Sequence, residues 1–131
     1  NESPNGGFTT GAPWLPLDPA HIAAAESVQD SDPASPLNAA RTLINWRKAQ
    51  PQLTRGEIVF FDAPEPILAL RRDLAGMPSM LAIFNLGAEP VTFDWLEAKN
   101  ARAVDGHGMV GEAKDGVVTL PAFGGWFGLV D

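Results

Sequence analysis

Proline and glycine residues divide this chain into stretches of different structural character. Eight of them fall within residues 1–34, which excludes a helix of ordinary length there, apart from a short one over Ala20–Ser27. Neither occurs from Leu37 to Gln50, and after Gly56 they return at short intervals between apolar runs. The sequence therefore predicts a loop rich in Pro and Gly, then one α-helix, then many short strands.

The first stretch does not have the composition of a flexible linker. Phe8, Trp14, Leu15 and Leu17 are large apolar side chains that need a surface to cover them. We therefore expect this loop to be ordered against a partner surface. Because the chain opens at Asn1 in turn-forming residues, we also expect it to be a piece of a longer protein.

The helix is expected over Pro36–Gln50. Asp32 and Ser35 are both candidates for its N-cap, and Pro51 ends it. At 100° per residue, Trp46 projects away from the apolar stripe of the helix, which consists of Leu37, Ala40, Leu43 and Ile44. Apolar groups on two sides predict a helix that packs between two bodies, with a surface tryptophan as the alternative.

After Gly56 the apolar residues recur with the period of strands. The separators are too short for a crossover helix, so the pairing is expected to be antiparallel, in a small β-sandwich or Greek-key sheet. The expected strands are Glu57–Phe61, Ile67–Arg71, Met80–Leu86, Val91–Trp95, Val117–Leu120 and Trp126–Val130, with a weaker one over Ala101–Val104. Their expected core residues include Ile58, Phe60, Leu81, Ile83, Val91, Phe93, Val118, Leu120 and Phe127.

Charge and composition restrict what the chain binds. Nine Lys and Arg residues against sixteen Asp and Glu residues give a net charge of −7, which does not suit a surface for nucleic acid. Leu74–Ala88, one of the longest uncharged stretches, is interrupted by Gly76, Pro78 and Asn85, so no membrane span is expected. The absence of cysteine excludes disulfides and fits cytoplasm and periplasm alike, with the cytoplasm slightly favoured.

One segment matches the residue pattern of a cofactor-binding motif but lacks the helix that the motif requires. The segment Gly106–Gly111 (GHGMVG) fits the dinucleotide pattern GxGxxG, but Asp115-Gly116 follows before a helix could hold a pyrophosphate. A loop is therefore the expected structure, and no cofactor is expected. The two histidines, His21 and His107, lack ligand spacing and are expected to be solvated loop residues.

No catalytic or metal-binding set is recognisable. Asp30 and Asp32 suit a cap or a turn better than a calcium site, so no metal is expected. The carboxylates that come close in sequence have the positions of exposed strand-end charges rather than of a buried acid and base: Asp62 with Glu65, and Asp94 with Glu97.

Four tryptophans lie in the loop, the helix and the strands: Trp14, Trp46, Trp95 and Trp126. Exposed tryptophans often stack on sugar rings, whereas a tryptophan within an apolar strand is more often buried. Burial is therefore the expectation, and a sugar-binding platform is the alternative.

Several short segments of the first 56 residues keep a characteristic order and spacing. They are Ser3–Gly11 (SPNGGFTTG), Pro13–Pro16 (PWLP), Asp32-Pro33, Leu37-Asn38, Leu43–Lys48 (LINWRK), and Pro51 with Leu53 and Gly56. Together they resemble the alpha-glucosidase and oligo-1,6-glucosidase branch of the family 13 glycoside hydrolases, the alpha-amylase superfamily. Further on, Arg71, Met80–Phe84 and Asn85 are similar to the general pattern of that family.

The resemblance implies a division of the chain and a location for the chemistry. Residues 1–55 would be the end of a (β/α)8 barrel, comprising the loop after the eighth strand and the last barrel helix, and residues 56–131 a C-terminal antiparallel β domain. The family's catalytic carboxylates lie on earlier barrel strands, so the resemblance places no catalytic residue in this chain. Asn5 and Phe8 would border the sugar pocket, with a tight turn fixed by Phe8 as the alternative.

Three functions of different classes follow from these observations. The favoured one is a non-catalytic part of a retaining alpha-glucosidase that supports the barrel. The others are a carbohydrate-binding module and a free-standing enzyme with an unrecognised site. The implied partner is the catalytic barrel of the same parent, with alpha-glucosides as ligands of the intact enzyme only. The chain alone is expected to be inactive and to self-associate through Trp14, Leu15 and the exposed helix face.

Overall fold

The computed structural model describes residues 3–131, and its contacts divide the chain into two units. One unit ends at Thr42 and the other spans Leu43–Asp131. The expectation of a mainly β, antiparallel protein is confirmed by eight strands in two sheets. Among the described residues, four α-helices precede the sheets, where the sequence analysis expects one long helix and a short one over Ala20–Ser27. Three of the four are only five or six residues long.

The first unit contains a short 3₁₀ turn and two of these short helices. The turn is Pro4–Gly7, helix α1 is Pro19–Ala23, and helix α2 is Glu26–Ser31. Asp18 caps α1 because its Oδ1 accepts a hydrogen bond from the backbone N–H of Ala20 at 2.9 Å. The helix expected over Ala20–Ser27 is therefore two separate turns of helix.

Helix α3, Pro36–Lys48, begins at one of its two candidate caps. Ser35 is the N-cap, since its Oγ accepts the N–H of Asn38 at 3.2 Å and donates to the carbonyl of Gln29 at 2.7 Å. Asp32 instead closes a turn, its Oδ1 accepting the N–H of Ala34 at 2.9 Å. The helix ends before Pro51, which opens a further short helix, α4, Pro51–Arg55.

The second unit is built on a five-stranded and a three-stranded antiparallel sheet. Their strand orders are β1-β2-β3-β8-β5 and β4-β7-β6. The bounds are β1 Glu57–Phe61, β2 Ile67–Asp73, β3 Ser79–Asn85, β4 Val91–Asp94, β5 Arg102–Ala103, β6 Glu112–Lys114, β7 Val117–Leu120 and β8 Gly125–Val130. The sequence analysis misses β6, which pairs with β7 through a tight turn in which Asp115 and Gly116 both have positive φ.

Each face of the five-stranded sheet has its own apolar cluster. One cluster lies between the two sheets and includes Leu81, Ile83, Val118, Leu120 and Trp126. The other lies on the opposite face, where Leu53 of α4 and Trp46 of α3 pack against the sheet; its buried strand residues are Met80, Ala82 and Phe127. The central strands are therefore covered on both faces.

Two of the expected core residues are not buried. The side chains of Ile58 and Phe60 are 47% and 62% exposed, so their predicted burial is wrong. The physical reason is that β1 is an edge strand, and α3 and α4 cover the centre of that sheet face rather than its margin. The expected burial is confirmed for Leu81, Ile83, Val118, Leu120 and Phe127, while Val91 and Phe93 are half-buried.

Candidate functional site

The loop that carries the predicted substrate-rim residues is held by Asn5. Asn5 has a φ of 57° and is followed by Gly6 and Gly7, which also have positive φ values. Its side-chain amide donates to the carbonyl oxygens of Thr9 at 3.2 Å and Gly11 at 2.9 Å. Both hydrogen bonds lie within the loop, so the side-chain amide of Asn5 stabilises the loop conformation.

Phe8 and Trp14 are among the most exposed large side chains of the described residues. Their exposed fractions are 91% and 90%. They line an open groove of about 560 Å³ together with Asn5, Thr9 and Leu17. The structure thus brings both predicted rim residues, Asn5 and Phe8, to one groove of the first unit.

The segment Gly106–Gly111 is a loop, as the sequence analysis expects. It is followed by strand β6 rather than by a helix, so no helix N-terminus is available there to hold a pyrophosphate. His107 within it is 7% exposed, which contradicts the expectation of a solvated residue, whereas His21 is exposed. The cause is packing of the His107 ring against Trp46 and Phe127, with centroid distances of 5.2 and 4.8 Å.

The hydrogen bonding of His107 favours the neutral imidazole. Its Nδ1 accepts the backbone N–H of Met109 at 3.0 Å, an interaction that a protonated Nδ1 cannot make. Burial lowers the pKa of His107 below its ordinary value of 6.5, despite opposing contributions from the Val104 backbone and the charge of Asp105.

The carboxylates expected at strand ends are indeed exposed: Asp62, Glu65, Asp94 and Glu97. Asp73 differs because Arg71 and Ser79 both donate to it, at 2.8 and 2.6 Å, and these hydrogen bonds lower its pKa below its ordinary value. Within residues 3–131, no group of three or more His, Asp or Glu side chains is placed to hold a metal ion.

The tryptophans of the strand region are buried, as expected. Trp95 and Trp126 are 6% and 3% exposed and belong to the cluster between the sheets. Trp46 packs against its own β unit, with its ring 4.6 Å from that of Phe127. Trp14 alone of the four is fully exposed, so the described tryptophans form no common sugar-binding platform.

The sequence analysis does not predict a second concave surface that the structure contains. It is an open apolar groove of about 200 Å³ between α3, α4 and the face of the five-stranded sheet, and Arg47 and Arg72 lie on its lining. We call it the arginine-flanked groove; its other lining residues are Leu43, Trp46, Leu53, Leu70, Ala82, Phe84 and Phe127. Alternation in β2 puts Leu70 and Arg72 on one face, which is the sequence signal that could have found it.

None of the helices in the described part of the chain is both long and apolar enough to cross a membrane. A scan against protein-family models finds no match.

Comparison with known proteins finds relatives among enzymes that act on glucosides. A Rhizobium meliloti (strain 1021) protein named probable alpha-glucosidase is 40% identical over 124 residues, which is 95% of this chain. A Bacillus subtilis (strain 168) protein named probable oligo-1,6-glucosidase 2 is 31% identical over 97 residues, or 72% of this chain. The matches cover 22% and 17% of those proteins, so this chain spans about a fifth of the length of its curated relatives.

Solved structures give the same grouping. An alpha-glucosyl transfer enzyme superimposes on 99% of this chain with a TM-score of 0.89 and 37% identity, and the match covers 24% of that chain. The trehalulose synthase of Pseudomonas mesoacidophila MX-45 superimposes on the whole of this chain with a TM-score of 0.80 and 25% identity, again over 24% of its own length. The two-sheet fold with its preceding loop and helices therefore recurs as one part of much larger enzymes.

Proposed function

Since the chain is related to a part of the alpha-glucosidases and oligo-1,6-glucosidases of the alpha-amylase superfamily, we propose that it is the non-catalytic C-terminal part of a retaining alpha-glucosidase. Residues 1–55 complete the catalytic (β/α)8 barrel, and residues 56–131 form a β domain that supports it. The observation that carries the proposal is the match of 95% of this chain to only 22% of a probable alpha-glucosidase.

The chemistry of a retaining glucosidase lies outside this part. Such enzymes need two carboxyl groups about 5 Å apart, one as nucleophile and one as acid and base. The paired carboxylates that the sequence suggests here are exposed, at positions Asp62, Glu65, Asp94 and Glu97. In the parent enzyme the catalytic carboxylates belong to the barrel, whose C-terminal face is the usual position of an active site.

In the proposed enzyme, the exposed loop with Asn5 and Phe8 is the part of this chain that lies near the substrate. In the intact enzyme the loop of Asn5 and Phe8 follows the last barrel strand and borders the sugar pocket. The left-handed backbone of Asn5 and its two bonds to Thr9 and Gly11 keep the loop in shape, so that Phe8 projects from it. Phe8 then supplies an apolar edge to the pocket, and Asn5 acts chiefly by positioning the loop.

An assay of p-nitrophenyl alpha-glucoside hydrolysis tests this proposal. The isolated 131-residue chain should give the rate of a buffer blank, while the longer parent polypeptide should turn over the substrate. The parent with residues 56–131 deleted should lose soluble active enzyme, because the barrel loses its support. Hydrolysis by the isolated chain, abolished by changing one of its own Asp or Glu residues, would overturn the proposal.

A carbohydrate-binding module is the second candidate, favoured by the exposed rings of Phe8 and Trp14 on one groove. Titration of the chain with maltose or isomaltose, followed by tryptophan fluorescence, separates the two functions. Saturable quenching that disappears in Trp14→Ala would support the module, and an unchanged spectrum is expected if the chain is a structural part.

A further inference from the structure

The arginine-flanked groove lies in an apolar surface that runs across the sheet. Register places Phe60, Leu70, Ala82 and Phe127 opposite one another on neighbouring strands, so their side chains share one face. Helices α3 and α4 cover only part of this face, which leaves the groove open beside Phe60, 62% exposed. Ala82 and Phe127 are buried, so the uncovered part of this face is its margin at Phe60 and the adjoining groove, and exposed apolar surface of this kind marks an interaction site.

The edge of the sheet beside the groove has no feature that would keep other strands away. Strand β1 reads Glu-Ile-Val-Phe-Phe, and apart from Glu57 at its start it has no charged residue and no proline. Edge strands that face water are normally protected by charges, prolines or bulges. Four of its five residues are exposed. This margin is therefore expected to be covered in the native assembly.

The charges around the groove define what kind of group would cover it. Arg47 donates to the carbonyl of Leu53 at 3.0 Å, and Arg72 donates to that of Gly56 at 2.7 Å, so both guanidinium groups are held in place. The Nε of Arg72 is buried without a hydrogen-bond partner among the described residues. No carboxylate lines the groove, although the whole chain carries a net charge of −7. The groove thus has a mainly apolar lining that includes two arginine side chains and no carboxylate.

From these observations we propose that the arginine-flanked groove binds a segment in which a bulky apolar side chain is adjacent to a carboxylate, and that this segment belongs to the barrel of the same polypeptide. The apolar side chain fills the groove beside Phe60 and Leu70, and the carboxylate accepts from Arg72 and Arg47. This inference rests on the proposed function. A barrel segment is the chosen occupant because, in the related solved structures, the equivalent of this chain is about a quarter of a larger polypeptide.

Photo-crosslinking in the full-length parent polypeptide identifies the occupant. A benzophenone amino acid replaces Phe60, which is exposed beside the groove, and in a matched control it replaces Phe123, which is 67% exposed and does not line the groove. After irradiation and proteolysis, the Phe60 position should yield a crosslinked peptide of the barrel that contains a bulky apolar residue next to Asp or Glu. The Phe123 position should not yield that peptide.

A charge substitution tests the role of the arginine. Arg72→Gln in the same polypeptide should lower the yield of the Phe60 crosslink several-fold, while Arg102→Gln, an exposed arginine of β5, should leave it unchanged. A thermal melt of each variant checks that both are folded; if Arg72→Gln does not fold, Arg47→Gln takes its place.

Five outcomes would overturn the inference. They are a crosslink to a second copy of the chain, a crosslink to another protein, a barrel peptide without a carboxylate, no crosslink at all, and a Phe60 crosslink whose yield is unchanged in Arg72→Gln. Each of these is distinguishable from failure of the proposed function. A parent that hydrolyses alpha-glucosides and loses activity on deletion of residues 56–131 keeps the proposed function even when the groove has a different occupant.

Discussion

Trp46 packs against the glycine-rich loop Gly106–Gly111, whose sequence matches the pattern GxGxxG. Its indole Nε1 donates to the carbonyl of Asp105 at 2.9 Å, and its ring contacts His107 and Phe127. Gly106 has a φ of 91°, and an added Cβ there would lie 3.3 Å from the Trp46 ring. Gly106, the first glycine of the GxGxxG match, therefore allows the loop to pack closely against the aromatic ring of Trp46. The sequence alone could not show this, because the two partners are about 60 residues apart.

The buried His107 makes the free energy of unfolding depend on pH. The folded state lowers the pKa of His107 below 6.5, so below pH 6.5 the unfolded chain binds more protons than the folded chain. The contribution of neutral His107 to the free energy of unfolding is therefore complete above pH 6.5 and is lost as the pH falls below it. Asp73, whose pKa is lowered from 3.8, acts only at more acidic pH.

Urea unfolding of the isolated chain at pH 7.5 and 5.5 measures this effect. The unfolding midpoint should fall on acidification in the wild type and fall less in His107→Asn, whose Oδ1 can still accept the Met109 N–H. The exposed His21 provides the matched control, and His21→Asn should behave as the wild type. An equal loss of stability in wild type and His107→Asn would contradict the prediction.

Core packing gives a second prediction at the residue scale. Ile83 is fully buried between the sheets, whereas Ile44 on α3 is 52% exposed. Ile83→Ala should lower the free energy of unfolding by about 2–5 kcal/mol, because it removes buried methyl groups and leaves a cavity. Ile44→Ala should change it by about 0.5 kcal/mol or less in the isolated chain. Urea denaturation compares the two, and equal losses would show that Ile44 is also a core residue.

At the scale of elements, alternation and turn residues predict the strands but not what covers them. The expected bounds of β1 and β7 agree with the structure, and those of β2, β3, β4 and β8 differ by one or two residues. The sequence does not predict strand β6, because Glu112–Lys114 is short and mostly polar and only its pairing with β7 defines it. The alternation of apolar residues also predicts burial of Ile58 and Phe60 wrongly, because it shows that a strand has an apolar face but not whether another element covers that face.

The distribution of stability between elements is testable by hydrogen exchange. Strands β2, β3 and β8 lie next to one another in the five-stranded sheet and contain seven of the thirteen buried hydrophobic residues, so their amides should exchange most slowly. The segment before Pro36 has only short helices and, of its described side chains, buries only Ala25 and Ser35. Its amides should exchange within the early time points of a mass spectrometry experiment. Similar protection in both regions would refute the idea that the β unit is the stable part.

At the scale of the whole molecule, the sequence indicates the family resemblance more directly than it indicates any surface. The segments SPNGGFTTG and LINWRK carry the resemblance that the alpha-glucosidase relatives confirm. Alternation in β2 places Leu70 and Arg72 on one face, but it does not predict the arginine-flanked groove itself, which joins side chains from α3, α4, β2, β3 and β8. Local periodicity assigns each of those residues to a face, while the cavity exists only after the strands and helices pack.

The exposed apolar surfaces also predict the behaviour of the isolated chain. Phe8 and Trp14 on the first unit, and Ile58 and Phe60 on the second, expose large apolar side chains that a partner would cover. Without that partner, the chain should self-associate at raised concentration. Its net charge of −7 opposes association, and salt screens this repulsion, so the sedimentation coefficient should rise with protein concentration and more steeply at high salt.

The double variant Trp14→Ser with Phe60→Ser should sediment as a smaller species, while Leu96→Ser, at a separately exposed side chain, should behave as the wild type. A wild-type chain that remains monomeric up to the concentrations used for crystallisation would contradict the prediction, because it would show that these apolar surfaces do not cause self-association.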